Sequence, residues 1–388
     1  MAIRVRNWTT AKGEAKSAYV VDYYDQAGKR HIKTFSRKKD AQAFDAKTHI
    51  EVAGRLHIAD ADTITVSAAA ELWLTSCDAA GLERSTVAQY RQHVHRHIVP
   101  LIGTHRLTEV SVPFVRAFLD KLREEGRSEA MQRNVRVSLG SVLSDAQERG
   151  LVVRNAVKEM GRDKKGRTRH SGRHRTQVQA GVDIPTPAEV KVILGGATGR
   201  VRVFLMTAVF TGMRASELRG LRWSDVDFSK SSITVRQRAD AYQEIGSPKS
   251  KKGRRTIPMV SGLAKALTEW QSQCPTGDQD LVFPNGAGNI EFHVNIIRRL
   301  YAPVQIAAGV TSDDGGPKYP GLHALRHFYA SWCINRKEDG GLGLPPKVVQ
   351  ERLGHSSIQM TLDVYGHLFD KGDTMTEMDS AADMLLTV

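Results

Sequence analysis

Cysteine, aromatic residues and long apolar runs are all scarce in this chain of 388 residues. Its three cysteines (Cys77, Cys274 and Cys333) are scattered, which excludes a disulfide framework and a cysteine zinc motif and favours a reducing compartment. No apolar run approaches the ~20 residues that a membrane-spanning helix needs. The opening residues, MAIRVRNWTT, carry charge but lack the apolar segment of a signal peptide. The sequence therefore predicts a cytoplasmic protein that is not associated with a membrane.

Acidic residues are fewer than basic residues. Lys and Arg total 56 against 42 Asp and Glu, a net charge of +14. This excess favours a polyanionic partner, nucleic acid before an anionic membrane. The sequence has no carboxylate cluster suited to Mg²⁺, which argues against a two-metal nuclease. The chain is long enough for two or three domains.

Residues 1–61 predict a small unit of three strands and one helix. The segments SAYVVDYYD and RHIKTFS are rich in β-branched and aromatic residues, with a turn between them. Ser36 is placed to cap the helix that follows, with Phe44 and Ile50 facing the sheet. Basic residues of the hairpin are candidate DNA contacts: Lys29, Arg30 and Lys33. A small solvated cap without a DNA role is the alternative.

Residues 62–160 change to a helical pattern. Apolar residues recur at helical spacing in about four segments, the last of which runs from Met131 to Ala146. This pattern predicts a compact four-helix domain. Arginines on its polar faces are candidate phosphate contacts, although solvated helix faces explain them equally well: Arg91, Arg96 and Arg133.

Residues 161–182 predict a basic linker. Its first part, GRDKKGRTRHSGRHR, carries seven Lys or Arg against one Asp and almost nothing apolar. Such a segment cannot bury a core, so we expect a flexible connection between two domains. Lys164 and Lys165 are further candidate DNA contacts in this linker.

Residues 183–388 predict a mainly helical domain with a small antiparallel sheet. Thr186 and Glu189 have the spacing of a capping box at its start. Arg214 follows the glycine of TGMR at the head of a short helix, with Glu217 one turn later. The segments ITVRQ and RRTIPM predict a hairpin. Three lysines lie at its tip: Lys249, Lys251 and Lys252.

The end of the chain predicts one more helix. In residues 373–388, Thr374 and Glu377 have capping-box spacing, and apolar residues recur at helical intervals. A helix this short gains its stability from docking, and its acidic residues favour a protein surface over DNA. That surface is either its own domain or a neighbouring copy.

Three groups able to hold a phosphate precede a lone tyrosine, Tyr365. His323 and Arg326 lie one helical turn apart in HALRHFYASW, and His355 follows in LGHSS. Arginine matches phosphate bidentately, and histidine exchanges protons near neutral pH. A tyrosine with a free pKa of ~10 is a poor nucleophile, so it needs cations to stabilise the phenolate and the phosphorane. Each residue alone is also explained by a solvated face or a core position.

A metal site is the other interpretation of this helix. His323 and His327 stand four residues apart, as in a two-histidine zinc face. The sequence offers no evident third ligand and would place Arg326 beside the metal. Phosphate binding is therefore the favoured interpretation, with no metal and no cofactor.

These motifs resemble those of the tyrosine recombinase, or phage integrase, family. The matching segments are TGMRASELRGLRWSD, PKSKKGRRTIP, LHALRHFYAS and LGHSSIQMTLDVYGHL. Residues 62–160 resemble the family's core-binding domain, and residues 1–61 resemble the arm-binding domains of integrases that hold two DNA sites. The resemblance implies a multidomain α+β fold with a catalytic domain at residues 183–388.

The resemblance also implies the roles of the site residues. Tyr365 would attack the scissile phosphate, forming a 3′-phosphotyrosyl bond and freeing a 5′-hydroxyl. Arg214 and Arg326 would clamp the non-bridging oxygens. The other implied roles are those of His323 as proton acceptor or hydrogen-bond partner, His355 as phosphate donor, Lys249 as general acid, and Glu217 as support. The neighbouring lysines of the hairpin tip keep the assignment of the general acid open.

The implied function is integration and excision of a mobile element such as a prophage or genomic island, in the bacterial nucleoid. The implied partners are double-stranded attachment-site DNA and further copies of the chain in a tetramer on DNA. A directionality factor and a DNA-bending host protein would join them in some systems. The alternatives are a type IB topoisomerase-like relaxing enzyme, a chromosome-resolution recombinase and a non-catalytic DNA-binding regulator.

Overall fold

The described residues of the computed structural model are 2–9, 15–25, 28–54, 63–162, 178–369 and Ala382. The chain divides into two compact units, residues 1–172 and 173–388. Lys164, Lys165 and the predicted tail helix, apart from Ala382, lie outside the described residues. Within the described ranges no helix is both long enough and apolar enough to span a bilayer.

A three-stranded antiparallel sheet and one helix form the N-terminal part of the first unit. Its elements are β1 (Ala2–Thr9), β2 (Ala15–Tyr24), β3 (Arg30–Phe35) and α1 (Lys38–Ala53). The strands lie in the order β1-β2-β3. Side chains alternate along β2, so Val21 and Tyr23 are buried with Ala41 of α1. The predicted arrangement of three strands and a helix is confirmed.

Two details of this helix were predicted wrongly. The residue that caps α1 is Arg37, which makes no side-chain capping bond, so Ser36 is not the cap. Phe44 packs against the sheet as predicted, but Ile50 is 73% exposed. Six residues separate the two, which rotates Ile50 by about 240° around the helix axis, away from the sheet.

Helices form residues 63–162, the rest of the described part of the first unit. They are α2 (Val66–Ala79), α3 (Arg84–His93), α4 (Val99–Ile102), α5 (Val112–Glu124), α6 (Glu129–Glu148) and α7 (Ala156–Arg162). A π-helical segment joins α3 to α4, so the two run as one long helix. The four predicted helices are thus present, together with the short α7. In α6, Val135, Leu139 and Val142 are fully buried at the predicted spacing.

The second unit is mainly helical. Its helices are α8 (Pro187–Gly196), α9 (Gly199–Thr211), α10 (Ala215–Arg219), α11 (Ser261–Gln271), α12 (His293–Asn295), α13 (Ala302–Ala307), α14 (His323–Ile334), α15 (Pro346–Leu353) and α16 (Ile358–Tyr365). The predicted capping box is present at the start of α8, where Thr186 and Glu189 exchange hydrogen bonds. Helices α9 and α14 contribute to one large hydrophobic core, to which Leu205 and Leu325 belong.

The described part of the second unit also contains two small antiparallel sheets. Their strands are β4 (Val226–Asp227), β5 (Ser232–Val235), β6 (Arg238–Ala239), β7 (Ile245–Gly246) and β8 (Arg255–Pro258). The strands β4, β5 and β8 form one sheet, and β6 pairs with β7 in the other. The predicted pairing of β5 with β8 is confirmed, but the small hairpin β6–β7 interrupts their connection.

Candidate active site

Glu217 lies at the centre of a cluster of buried charges. Arg214 donates to its carboxylate through Nη1 over 2.9 Å and through the backbone N–H over 2.8 Å. Arg255 of β8 donates to both carboxylate oxygens, over 3.1 Å and 2.8 Å. Burial raises the pKa of Glu217, but Arg255 and Arg214 outweigh it and lower this pKa to about 2. The ionised carboxylate thus fixes both guanidinium groups.

Arg326 of α14 is buried and joins two chain turns. Its Nη1 donates to the carbonyl of Gly212 and its Nη2 to the carbonyl of Leu353, each over 2.6 Å. Burial, Arg214 and Arg255 lower the pKa of Arg326 to about 9, so the group stays protonated at neutral pH. Arg326 therefore holds the ends of α9 and α15 together while carrying a positive charge.

The two turns bound by Arg326 each depend on a glycine. Gly212 has φ +60°, and a Cβ atom there would lie 2.3 Å from Cδ1 of Tyr329. Gly354, with φ +65°, ends α15, and its Cβ would lie 3.0 Å from the side chain of Arg255. A side chain at either position would strain the backbone and push apart the segments that carry the arginines.

His355 follows the second of these turns. Its Nδ1 is 2.9 Å from the hydroxyl of Thr361, and its ring is parallel to that of Tyr365 with centroids 6.4 Å apart. Burial, Arg326 and Arg214 lower the pKa of His355 to about 3, so the ring is neutral at pH 7. A neutral ring held by Thr361 can direct its Nε2 hydrogen towards an anion.

Tyr365 is the last residue of α16 and is 2% exposed. Its hydroxyl lies 2.7 Å from Nδ1 of His327. Burial raises the pKa of Tyr365 to about 12, although Arg326 and Arg214 act in the opposite direction. The hydroxyl is therefore protonated in the DNA-free protein and lies within the field of two arginines.

His323 begins α14 and is exposed. Its ring stands edge-on to that of His327, with centroids 4.6 Å apart. Partial desolvation, Arg326 and Arg214 lower the pKa of His323. The predicted pair His323 and Arg326 therefore lies at the same site, with His323 at its outer edge.

The three lysines of the hairpin tip are all exposed. Lys249 precedes a single 3₁₀ turn, Lys251–Gly253, which leads into β8. A Cβ on Gly354 would lie 3.0 Å from the carbonyl of Lys252, so the end of the tip is held against the turn after α15. Each lysine can reach outward from this edge.

Sequence reasoning missed three residues of this cluster: Arg255, His327 as a partner of Tyr365, and Thr361. A signal existed for Arg255, because the alternation in β8 puts it on the same buried side as Ile257. A buried arginine needs hydrogen-bond acceptors, and the Glu217 carboxylate supplies two of them to Arg255. No local pattern marks Thr361, since its role depends on the position of His355.

The predicted DNA contacts of the N-terminal sheet differ in placement. Arg30 forms an ion pair with Asp22. Lys33 pairs across the strands with Val21, which faces the helix, and its ammonium lies 4.6 Å from the ring centroid of Phe44. Lys33 therefore lies on the helix side of the sheet, and its role as a DNA contact stays a prediction. Lys29 is exposed in the turn before β3.

The predicted contacts of the helical region are all exposed. Arg91 is paired with Asp78, and Arg96 lies in the π-helical segment after α3. Arg133 of α6 lines an open cavity of about 650 Å³ together with Arg116 and other polar residues. Their DNA-binding role stays a prediction. In the described part of the chain, no cluster of three or more His, Cys, Asp or Glu residues could hold a metal ion.

One further contact joins the residues after the tyrosine to the start of the described part of this unit. Nε2 of His367 donates to the carbonyl of Val178 over 2.8 Å. His367 lies in a 3₁₀ turn, Gly366–Leu368, that continues directly from α16. The turn that follows Tyr365 is thus anchored to the segment that precedes α8.

Comparison with known proteins agrees with this geometry. Residues 186–371 match the Phage integrase family, and residues 66–162 match the Phage integrase central domain. A tyrosine recombinase XerC-like protein of Caldanaerobacter subterraneus subsp. tengcongensis is 25% identical over 379 residues, covering 90% of this chain and 91% of the relative. The tyrosine recombinase XerC of Corynebacterium efficiens is 30% identical over 290 residues, covering 74% and 82%.

Solved structures share the fold. The Tn1549 transposon integrase in complex with transposon right end DNA superposes with a TM-score of 0.64 at 21% identity, covering 82% of this chain and all of that one. A lambda integrase tetramer bound to a Holliday junction gives a TM-score of 0.57 at 17% identity, covering 90% and 95%. The chain belongs to the phage integrase family of tyrosine recombinases, enzymes that transfer DNA strands.

Proposed function

We propose that this protein recombines DNA at specific sites to integrate and excise a mobile genetic element, with Tyr365 as its nucleophile. The observation that carries the proposal is the placement of the Tyr365 hydroxyl beside His327, within the field of Arg214 and Arg326. The tyrosine recombinase relatives support recombination, and the likeness to the Tn1549 transposon integrase supports the mobile-element role.

The arginines stabilise the transition state. As Tyr365 attacks phosphorus, negative charge grows on the non-bridging oxygens, and fixed cations there lower the barrier without reorganising. Glu217 holds Arg214 in place, and Arg214 retains about a third of its side-chain surface for a phosphate. Arg326 donates hydrogen bonds to two backbone carbonyls, and its remaining N–H groups are proposed to bind the same phosphate.

Protonation of the leaving group completes cleavage. The 5′-oxygen leaves as a hydroxyl when it takes a proton, and Lys249 on the exposed hairpin is the proposed donor. His355 is the proposed hydrogen-bond donor to a non-bridging oxygen, because Thr361 holds its Nδ1 side. The bond energy of the DNA backbone is kept in the phosphotyrosine, so rejoining needs no nucleotide.

The proposed partners are attachment-site DNA and three further copies of this chain. The tetramer seen for lambda integrase on a Holliday junction supports this assembly, since the two chains share a fold over 90% of this sequence. The +14 charge suits the DNA partner. A directionality factor and a DNA-bending protein are proposed as accessory partners, acting in the bacterial cytoplasm.

Replacing Tyr365 with phenylalanine tests this function. The Tyr365→Phe variant should bind core-site DNA but form no covalent complex with a suicide substrate, measured as SDS-resistant protein–DNA adduct. Tyr301→Phe is the matched control, because it removes another buried hydroxyl in the same unit and should keep the parent's adduct yield. A covalent adduct formed by Tyr365→Phe would move the nucleophile elsewhere.

A further inference from the structure

His327 directly contacts the reacting atom of the proposed nucleophile. Its Nδ1 lies 2.7 Å from the Tyr365 hydroxyl oxygen, within the range of a hydrogen bond. The helix α14 places His327 next to Arg326, so one helix carries both this ring and an arginine that is proposed to bind the phosphate. The contact joins residues 38 positions apart and depends on α15, which packs against both α14 and α16.

The protonation states suit an acceptor. Burial, His323 and Arg326 lower the pKa of His327 to about 4, so the ring is neutral at pH 7. Burial raises the pKa of Tyr365 to about 12, so its hydroxyl carries a proton. A bound phosphodiester would place negative charge beside the ring and favour the imidazolium, so substrate binding increases its basicity.

The other two histidines are less well placed. His323 is exposed and lies edge-on to the ring of His327. His355 stacks parallel to the Tyr365 ring, and its Nδ1 is engaged by Thr361. Geometry therefore selects the ring that already contacts the hydroxyl oxygen.

We propose that His327 is a catalytic residue, the proton acceptor of Tyr365. The proposal rests on the function proposed above. As the Tyr365 oxygen bonds to phosphorus, its O–H bond breaks and the proton moves to Nδ1 of His327, which becomes imidazolium. The bond from phosphorus to the 5′-oxygen breaks, and that oxygen takes a proton from Lys249. Rejoining reverses both transfers, so the protein ends as it began.

Single-turnover cleavage of a suicide substrate tests this role in the full chain. His327→Ala should cleave about 100-fold more slowly than the parent. His327→Asn should be similarly slow, because asparagine can accept a hydrogen bond but not a proton. Both variants should keep the parent's melting temperature and its affinity for core-site DNA, measured by thermal unfolding and gel shift.

Two rescue experiments distinguish a role of His327 in proton acceptance from a purely structural role. A fluorinated tyrosine at position 365 ionises more easily, so it should recover about 10-fold of the rate lost in His327→Ala and none of that lost in Lys249→Ala. A 5′-bridging phosphorothiolate has a leaving group that needs no proton. It should rescue Lys249→Ala and leave His327→Ala slow.

The possible outcomes are distinct. A parent protein that forms no adduct would overturn the proposed function itself. With an active parent, full activity of His327→Ala or of His327→Asn would overturn proton acceptance by His327. Slow variants that the fluorinated tyrosine does not rescue would do the same, because a merely structural defect is insensitive to the acidity of the nucleophile.

Discussion

At the scale of single residues, Glu217 supports the site through its charge. It is 2% exposed and bound by two guanidinium groups, so its carboxylate is both desolvated and fully paired. Removing one partner of such a buried network leaves the others without compensation, which costs more than the intact network contributes. Glu217 thus matters to stability and to the placement of Arg214.

Glu217→Gln should lower the free energy of unfolding by about 3 kcal/mol at pH 7. The pKa of Glu217 is depressed to about 2 from an ordinary 4.5, so the stability it contributes is present above pH 4.5 and lost as the pH falls towards 2. The difference between parent and variant should therefore shrink in urea titrations made stepwise below pH 5.

Glu351→Gln is the control for Glu217. Glu351 pairs with Lys347 over 3.2 Å at an exposed position of the same unit. Its loss should change the free energy of unfolding by less than about 1 kcal/mol. Equal losses in the two variants, or a Glu217→Gln effect that does not vary with pH, would contradict the role assigned to the buried carboxylate.

At the scale of elements, local signals were predictable and distant pairings were not. The capping box of α8 and the apolar pattern of α14 lie within a few neighbouring residues, so the sequence alone predicts them. The pairing of Arg255 with Glu217 and the contact of His327 with Tyr365 each span 38 positions. Such contacts depend on how helices and strands pack, which a single sequence does not reveal.

The turn between α9 and α10, which contains Gly212, gives a prediction at this scale. Gly212→Ala should lower the free energy of unfolding by at least about 2 kcal/mol, since a left-handed backbone costs about 1–2 kcal/mol and the new methyl would overlap Tyr329. Because the Gly212 carbonyl binds Arg326, cleavage should slow as well. Chemical unfolding and suicide-substrate cleavage measure the two effects.

Gly195→Ala provides the comparison for this turn. Gly195 is exposed within α8 and has open space where a methyl would be added. Alanine favours the helix by up to about 1 kcal/mol, so this variant should be as stable as the parent or slightly more stable. If Gly212→Ala proved equally harmless, the tight turn would not be what positions Arg326.

At the scale of the whole molecule, the domain boundaries predicted from the sequence remain proposals. The N-terminal sheet and the helices of the first unit have separate hydrophobic clusters, which suits separate roles. The face of the sheet opposite α1 carries Arg4 on β1, and Arg30 and the exposed Ile32 on β3. We propose that this face binds a second DNA sequence.

Deleting residues 1–61 should therefore leave cleavage of a short core site intact and abolish binding to separate arm-type sequences. The logarithm of the DNA affinity falls as the logarithm of the salt concentration rises, and losing phosphate contacts should make this fall less steep by about 0.9 per contact. Gel shifts over a salt series measure both quantities. Equal binding of the two proteins to every flanking sequence would leave the sheet with a structural role only.

The hydrogen bond from His367 to Val178 has a consequence for how the catalytic unit is connected. It holds the segment before α8 against the 3₁₀ turn that follows α16, so two parts of this unit that lie 189 positions apart in sequence share a contact. This contact lies two residues beyond Tyr365, so the segment that precedes α8 and the nucleophile share one anchor. A displacement of Val178 is thereby transmitted through His367 to the end of α16.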